Sequence, residues 1–149
     1  MIKYRKATPA DASLLTAIQI EAFAFDEQMV GAGPPGYDSD DSQLLAISQY
    51  HYYVIEWEDI PIGGFIYSII DRVCELKRVF ILPEYQNQGI GSQVLSSIES
   101  MADIQSVQLE ASYFHSINQS YYENRGYISI GRQYYTEEAY SIVYKKVLK

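Results

Sequence analysis

Residues 76–91 read LKRVFILPEYQNQGIG: an apolar, strand-like run, then a proline, then two closely spaced glycines. The β-branched and aromatic residues favour a strand over residues 75–82 that ends at Pro83. Apolar residues then recur at helical spacing: Ile90, Val94, Leu95, Ile98 and Met101. A helix is therefore predicted over residues 89–102. The glycines lie at its start, where unpaired N–H groups and the helix dipole can bind a phosphate group.

Two common nucleotide-binding motifs do not fit this junction. A Walker A loop requires Gly-Lys-Ser/Thr, whereas residues 89–92 read GIGS. The dinucleotide fingerprint G-x-G-x-x-G fails because Val94 occupies the position of its third glycine. A plain strand-to-helix turn remains the alternative when the segment is taken alone.

Strand and helix patterns also alternate through the rest of the chain. Thr8, Pro9 and Asp11 have the form of a helix N-terminus with a capping box, and helical spacing continues to Phe25. The predicted order is β-α-α-β-β-β-α-β-α-β-β, with strands over 2–5, 52–56, 64–70, 75–82, 107–111, 127–135 and 140–147. We predict an α+β fold in a single domain over residues 1–149, with a mixed, mostly antiparallel sheet of six to seven strands flanked by about four helices.

The composition excludes several classes of protein. The 19 acidic and 11 basic residues give a net charge of -8, which repels nucleic acid and favours a small cationic partner, although solubility alone would explain it. Cys74 is the only cysteine, so no disulfide forms within the chain; with no signal-peptide pattern, a cytoplasmic location is expected. No apolar run approaches the roughly 20 residues of a membrane span. No His/Cys/Asp cluster has metal-ligand spacing, so no metal site is expected.

Two segments carry a resemblance to a known family. Residues 76–91 resemble the acetyl-CoA signature of the GNAT superfamily, whose core is Q/R-x-x-G-x-G/A. Residues 115–127, HSINQSYYENRGY, are similar to the family's N-A-x-x-A-x-x-Y-E-x-x-G-F segment. Asn87 departs from a common glycine and His115 from a frequent asparagine. The resemblance implies a GNAT fold and an N-acetyltransferase that uses acetyl-CoA as co-substrate.

The resemblance also implies which residues bind the cofactor. The preceding strand would pair with the pantetheine arm, and the loop amides would hold the pyrophosphate. The expected contacts along the arm are Phe80, Ile81 and Leu82. Those around the pyrophosphate are Gln86, Asn87, Gln88, Gly89, Ile90, Gly91 and Ser92, and those on the later helix are Asn118 and Tyr122. The N–H of Ile81 is the expected donor to the oxyanion of the reaction.

Acetyl transfer to an amine needs a proton acceptor and a proton donor. An alkyl amine of pKa ~10.4 is protonated at pH 7, so a base or a water chain must remove a proton. Glu75 and Glu110 are the candidate bases, and many relatives place an acidic residue on the strand of Glu75. Tyr122, which shares one helix face with Asn118 and His115, is the predicted general acid for the departing thiolate.

The acceptor is the least predictable part of the function. The segment GPPGY at residues 33–37 and the following Asp38, Asp40 and Asp41 lie where the family usually builds its acceptor pocket. We expect a small-molecule primary amine, cationic before it loses its proton. A protein N-terminus or lysine remains an alternative acceptor, and a non-catalytic acyl-CoA-binding module an alternative function. A monomer or a homodimer is equally compatible with the sequence.

Overall fold

A computed structural model of the chain describes residues 1–148, in which seven β-strands and five α-helices follow one another. The strands are β1 (Ile2–Lys6), β2 (His51–Trp57), β3 (Ile60–Ile70), β4 (Val73–Ile81), β5 (Ser106–Ser112), β6 (Ile128–Tyr134) and β7 (Tyr140–Val147). The helices are α1 (Ala12–Ala22), α2 (Ala24–Val30), α3 (Asp40–Gln49), α4 (Ile90–Glu99) and α5 (Ser116–Asn124). No helix in this part of the chain is long and apolar enough to cross a membrane.

The strands form one sheet in the order β1-β2-β3-β4-β5-β7-β6. Strands β4 and β5 run parallel, whereas β1 with β2, β2 with β3, β5 with β7 and β6 with β7 pair antiparallel. The α+β prediction with a mixed, mostly antiparallel sheet is therefore confirmed. The described residues contain seven strands, at the upper end of the predicted range, and five helices where about four were expected.

The additional helix arises because the first predicted helix is interrupted. The Thr8 N–H donates to the Asp11 carboxylate at 2.8 Å, as expected, although a 3-10 turn precedes α1. Helix α1 stops before Phe23, whose φ of -101° and ψ of 14° are not helical, and α2 begins one residue later. The Phe23 ring packs against the core at Phe80. We attribute the break to this packing, which overrides a helical spacing that continues to Phe25.

Two compact units make up the described chain, and the predicted single domain stays a prediction. The first unit comprises residues 1–67 and 78–96. Its core joins α1, β2, β3 and β4 through buried side chains: Ala7, Leu15, Ile18, Tyr52, Val54, Ile66 and Phe80. Gly63 on β3 approaches Phe80 so closely that an added Cβ would lie 2.2 Å from the Phe80 carbonyl oxygen. No larger residue fits at this position without moving the β4 backbone.

The second unit comprises residues 68–77 and the described residues from Ser97 onward. In this unit Cys74 lies opposite Val107, and Glu75 lies opposite Gln108. Alternate residues are buried, so one face of the sheet packs against α5 while the other carries polar side chains. The buried face contains Cys74, Leu76, Val107, Leu109, Ala111 and Tyr144. Burial raises the pKa of the Cys74 thiol to about 11.

Candidate active site

The glycine junction, residues 82–91 between the end of β4 and the first turn of α4, has the backbone conformation that a ligand-binding turn requires. A 3-10 turn at Pro83–Tyr85 follows β4, and Asn87 and Gly89 then adopt left-handed φ values of 63° and 80°. The Gly89 carbonyl accepts the first helical hydrogen bond, from the Gln93 N–H at 3.0 Å. Gly89 is therefore the N-cap of α4, and the helix N-terminus with its partial positive charge begins directly after it.

The space in front of this helix N-terminus is open. Apart from the adjoining residues of the chain and the backbone of α4 itself, a Cβ added at Gly89 or at Gly91 would have no atom of the described residues within 4 Å, unlike one at Gly63. The glycines are therefore not explained by close packing within the protein. Backbone N–H groups at an uncluttered helix N-terminus suit the oxygen atoms of a phosphate or diphosphate. The residues of this loop thus fit the diphosphate of a nucleotide-like ligand.

The structure shows which atoms of three predicted cofactor-binding residues are already engaged within the protein. The Gln86 side-chain amide turns back and donates to the Ile81 carbonyl at 2.8 Å, so it ties the loop to the end of β4. The Phe80 ring lies in the core with 2% of its surface exposed, which leaves only its backbone for a ligand. The Leu82 N–H donates to the Ile62 carbonyl at 2.8 Å and is not available.

The two candidate bases lie on the polar face of the second unit. Glu75 is exposed and pairs with Lys77, whose ammonium lies 2.7 Å from its carboxylate. Glu110, two residues beyond the partner of Glu75 on β5, accepts a hydrogen bond from the Tyr135 hydroxyl. The sequence did not predict Lys77 or Tyr135 as partners of these carboxylates. In residues 1–148, no group of His, Cys, Asp and Glu is placed to hold a metal ion.

Tyr122 packs on the opposite, buried face. Its ring lies 5.8 Å from the Tyr127 ring and 6.0 Å from the Tyr144 ring, between centroids. Burial raises the pKa of Tyr122 above its ordinary value. Asn118 is exposed one turn earlier on α5, and His115 is the residue before the helix. The candidate acid and the candidate bases thus lie on opposite faces of this part of the sheet.

The loop between α2 and α3, residues 31–39, lies against β4 in the first unit. The Arg78 guanidinium on β4 donates to the Pro35 carbonyl at 2.9 Å. The Tyr37 hydroxyl donates to Glu27 at 2.9 Å, which fastens the loop to α2. Arg78 precedes Ile81 by three residues, or about 10 Å along a strand. The loop therefore lies near the end of β4, a proximity that the sequence did not reveal.

The family model described as an acetyltransferase (GNAT) domain matches residues 48–129, which is more than half of the chain. No curated protein sequence matches the chain. The fold is similar to several solved acetyltransferases, each of low sequence identity. PaiA N-acetyltransferase from Thermoplasma acidophilum, solved with coenzyme A, is 20% identical with a TM-score of 0.78, over 99% of both chains.

Two further structures extend this likeness. An acetyltransferase from Thermus thermophilus is 14% identical with a TM-score of 0.81, over 99% of this chain and 97% of that one. A Salmonella typhimurium acetyltransferase that modifies the N-terminal serine of a 50S ribosomal subunit protein is 14% identical with a TM-score of 0.77, over 99% and 95% of the two chains. At these identities the structures support the fold, while the family model matches the segment with the glycine junction. The chain therefore belongs to the GNAT family of acetyl-CoA-dependent acetyltransferases, as the two sequence motifs predicted.

Proposed function

We propose that this acetyltransferase transfers the acetyl group of acetyl-CoA directly to the primary amine of a small molecule. The observation that carries the proposal is the loop from Gln86 to Gly91, with an open approach to the N-terminus of α4. A coenzyme A pyrophosphate would be held there by backbone N–H groups. The Ile81 and Phe80 backbone would lie along the pantetheine arm, since the Phe80 ring is buried in the core.

The protein must do three things in this reaction: remove a proton from the amine, stabilise the oxyanion and protonate the departing thiolate. A carboxylate, Glu75 or its alternative Glu110, takes the proton from the ammonium group through a chain of water molecules, because both carboxylates lie on the face of the sheet opposite to Tyr122. The amine nitrogen then bonds to the thioester carbon, and the Ile81 N–H stabilises the oxyanion. As the carbon–sulfur bond breaks, the Tyr122 hydroxyl gives its proton to the thiolate. The nitrogen of the new amide loses its second proton to solvent, and Tyr122 recovers a proton from solvent. The raised pKa of Tyr122 keeps its hydroxyl protonated through neutral and mildly alkaline pH, so the proton is present when the thiolate forms.

The acceptor is proposed to enter at the 31–39 loop. This loop lies against β4 within about 10 Å of the Ile81 level of the strand, by its contact with Arg78. Asp40 and Asp41 follow it as the first residues of α3. Together with the net charge of -8, they favour an acceptor that arrives as a cation. Affinity for such an acceptor should fall as salt rises.

Acetylation of a protein N-terminus is the second candidate. It is favoured by the fold likeness to the Salmonella typhimurium enzyme that acts on a ribosomal protein. The two candidates differ in what the acceptor site must hold, because an N-terminal substrate brings an extended backbone beside the amine. Short peptides and free amines therefore separate them.

The test is a panel of acceptors incubated with acetyl-CoA and purified protein, with release of the free coenzyme A thiol measured. The panel contains alkyl monoamines, polyamines, amino acids and peptides with free N-termini, and mass spectrometry confirms the acetylated product. We expect turnover of a cationic amine with an amine KM that rises with salt. Turnover of peptides alone would favour the N-terminal alternative, and binding of acetyl-CoA with no turnover of any acceptor would favour the non-catalytic module.

A further inference from the structure

A connected network of polar side chains lies inside the first unit. Gln19 on α1, Gln43 on α3 and Tyr52 on β2 are buried, with 0%, 2% and 1% of their surfaces exposed. The Gln19 amide donates to Gln43 Oε1 at 2.9 Å and to the Tyr52 hydroxyl at 2.8 Å. The Tyr52 hydroxyl donates to Gln43 Oε1 at 2.6 Å. On β4, Arg78 completes the network, since its Nη1 donates to Gln19 Oε1 at 3.0 Å.

Both ends of this network bind the backbone of residues 33–37. Arg78 uses its second terminal nitrogen to donate to the Pro35 carbonyl at 2.9 Å. The Gln43 amide is directed at the carbonyl oxygens of the next two residues, at 3.4 and 3.3 Å. Two consecutive prolines carry no N–H group, so this segment offers mainly carbonyls as anchoring points. The network supplies donors to three successive carbonyls.

Burial gives the network few alternative arrangements. A buried amide that loses its partner costs more free energy than an ordinary hydrogen bond contributes, because water cannot replace the partner. Movement of the 33–37 segment would therefore leave Gln43 or Arg78 donors without these acceptors. An arginine suits this position because its forked donors reach acceptors on two elements at once, here Gln19 and Pro35.

We propose that Arg78 is a positioning residue for the acceptor amine. Its guanidinium holds the 33–37 segment against β4, so the strand that carries the thioester site also sets the wall of the acceptor site. This inference rests on the proposed function, because it takes the 31–39 loop as the acceptor loop. Arg78 should therefore affect binding of the acceptor amine and leave binding of acetyl-CoA unchanged.

The test compares Arg78→Met with Arg5→Met, a control in which another partly buried arginine loses its carboxylate partners. Kinetics use the best amine of the panel, and hydrogen exchange follows the Tyr37 and Ser39 amides, which bond within the loop at 3.1 and 3.3 Å. For Arg78→Met we expect the amine KM to rise roughly tenfold or more, with the acetyl-CoA KM changed less than about twofold. Exchange at both amides should accelerate, and Arg78→Lys should recover part of each effect. Arg5→Met should change neither.

Gln43→Leu tests the same network from its other end, without altering β4. It should raise the amine KM and accelerate exchange in the same loop. Faster exchange with an unchanged amine KM in both variants would overturn the positioning role, and unchanged exchange would overturn the anchoring itself. Absence of acetyl transfer by the unsubstituted protein would instead refute the proposed function. Failure of the proposed function is therefore seen in the unsubstituted protein, and failure of the positioning role is seen in the two variants.

Discussion

Tyr122 and Tyr144 lie with their ring centroids 6.0 Å apart, yet their hydroxyls are used differently. The Tyr144 hydroxyl donates to Glu123 at 2.7 Å, and that of the neighbouring Tyr127 donates to Glu99 at the same distance. Within residues 1–148, no group hydrogen-bonds the Tyr122 hydroxyl. A ring held by its neighbours with an uncommitted hydroxyl is the arrangement that a proton donor to a ligand needs.

Tyr122→Phe should therefore lower kcat by ~10²–10⁴ while acetyl-CoA binding stays nearly unchanged. The substitution keeps the ring and its packing and deletes only the hydroxyl. Tyr121→Phe is the matched control, because Tyr121 is the adjacent residue on α5 and its hydroxyl accepts a hydrogen bond from Arg125. Parental turnover by Tyr122→Phe from pH 7 to pH 9, with chemistry rate-limiting, would show that water donates the proton.

Gly91→Leu should abolish acetyl-CoA binding, with a loss of affinity of roughly 100-fold or more as backbone contacts to the pyrophosphate are blocked. The fold should persist, since a Cβ there meets no atom of another segment of the described chain within 4 Å and leucine favours a helix over glycine. Gly91 is a cleaner site than Gly89, whose φ of 80° disfavours a side chain. Isothermal titration calorimetry measures the affinity for acetyl-CoA, and a chelator is added because no metal ion is expected to take part in binding.

Gln93→Leu is the control for that substitution, because it lies two residues later and on another side of α4. It should bind acetyl-CoA like the parent. Equal affinity in Gly91→Leu and Gln93→Leu would contradict the pyrophosphate assignment.

Glu75→Gln should lower kcat/KM for the amine by ~10²–10⁴ at pH 7 if Glu75 accepts the proton. The loss should shrink as pH rises, because more of the amine is then already deprotonated. Glu110→Gln, measured over the same pH series, is the counterpart on the same polar face. A pH-dependent loss in Glu110→Gln alone would transfer the role to Glu110, and no loss in either would leave a water chain.

Asp11→Asn should destabilise the folded chain at pH 7 by about 1–2 kcal/mol, because Arg5 bonds both carboxylate oxygens but is itself partly exposed. Hydrogen bonding from Arg5 lowers the pKa of Asp11 below its ordinary value of 3.8. The folded-state pKa lies below the unfolded one, so the stabilisation is complete above about pH 5 and is lost as pH falls through the folded pKa.

Urea unfolding at pH 7 and at pH 3 measures this difference. The difference between the variant and the parent should be smaller at the lower pH, because the carboxylate of the parent then begins to be protonated. Asp59→Asn is the control, since Asp59 pairs with Lys3 in an exposed turn, and it should change stability little at either pH. An Asp11→Asn penalty that persists undiminished at acid pH would refute the linkage.

The sequence predicted best where local patterns agree with tertiary packing. The strand predicted over residues 140–147 matches β7, and the glycine junction lies between β4 and α4 as expected. The break at Phe23 could not be read from spacing, because it depends on Phe80, which is distant in sequence. Gln19 gave a usable signal: it follows Leu15 by four residues, so it is a polar residue on the buried face of α1.

The candidate site was predicted less completely, because its partners come from separate segments. Tyr135 reaches Glu110 through pairing of β7 with both β5 and β6, and no local motif marks that contact. Arg78 carries no sequence signal either, since arginine on a strand is ordinarily solvated. The roles assigned to Tyr122, Glu75 and Glu110 stay predictions until the variants are measured.

Because Cys74 is buried, the reaction of its thiol with a thiol reagent reports local unfolding of the second unit. Only a thiolate attacks a thiol reagent, and a pKa of about 11 leaves little thiolate near pH 8. Release of coenzyme A can therefore be measured with such a reagent, because the Cys74 thiol of the folded protein contributes almost no background reaction. Any slow labelling that does occur measures how often the second unit exposes the Cys74 face of its sheet, one thiol per chain.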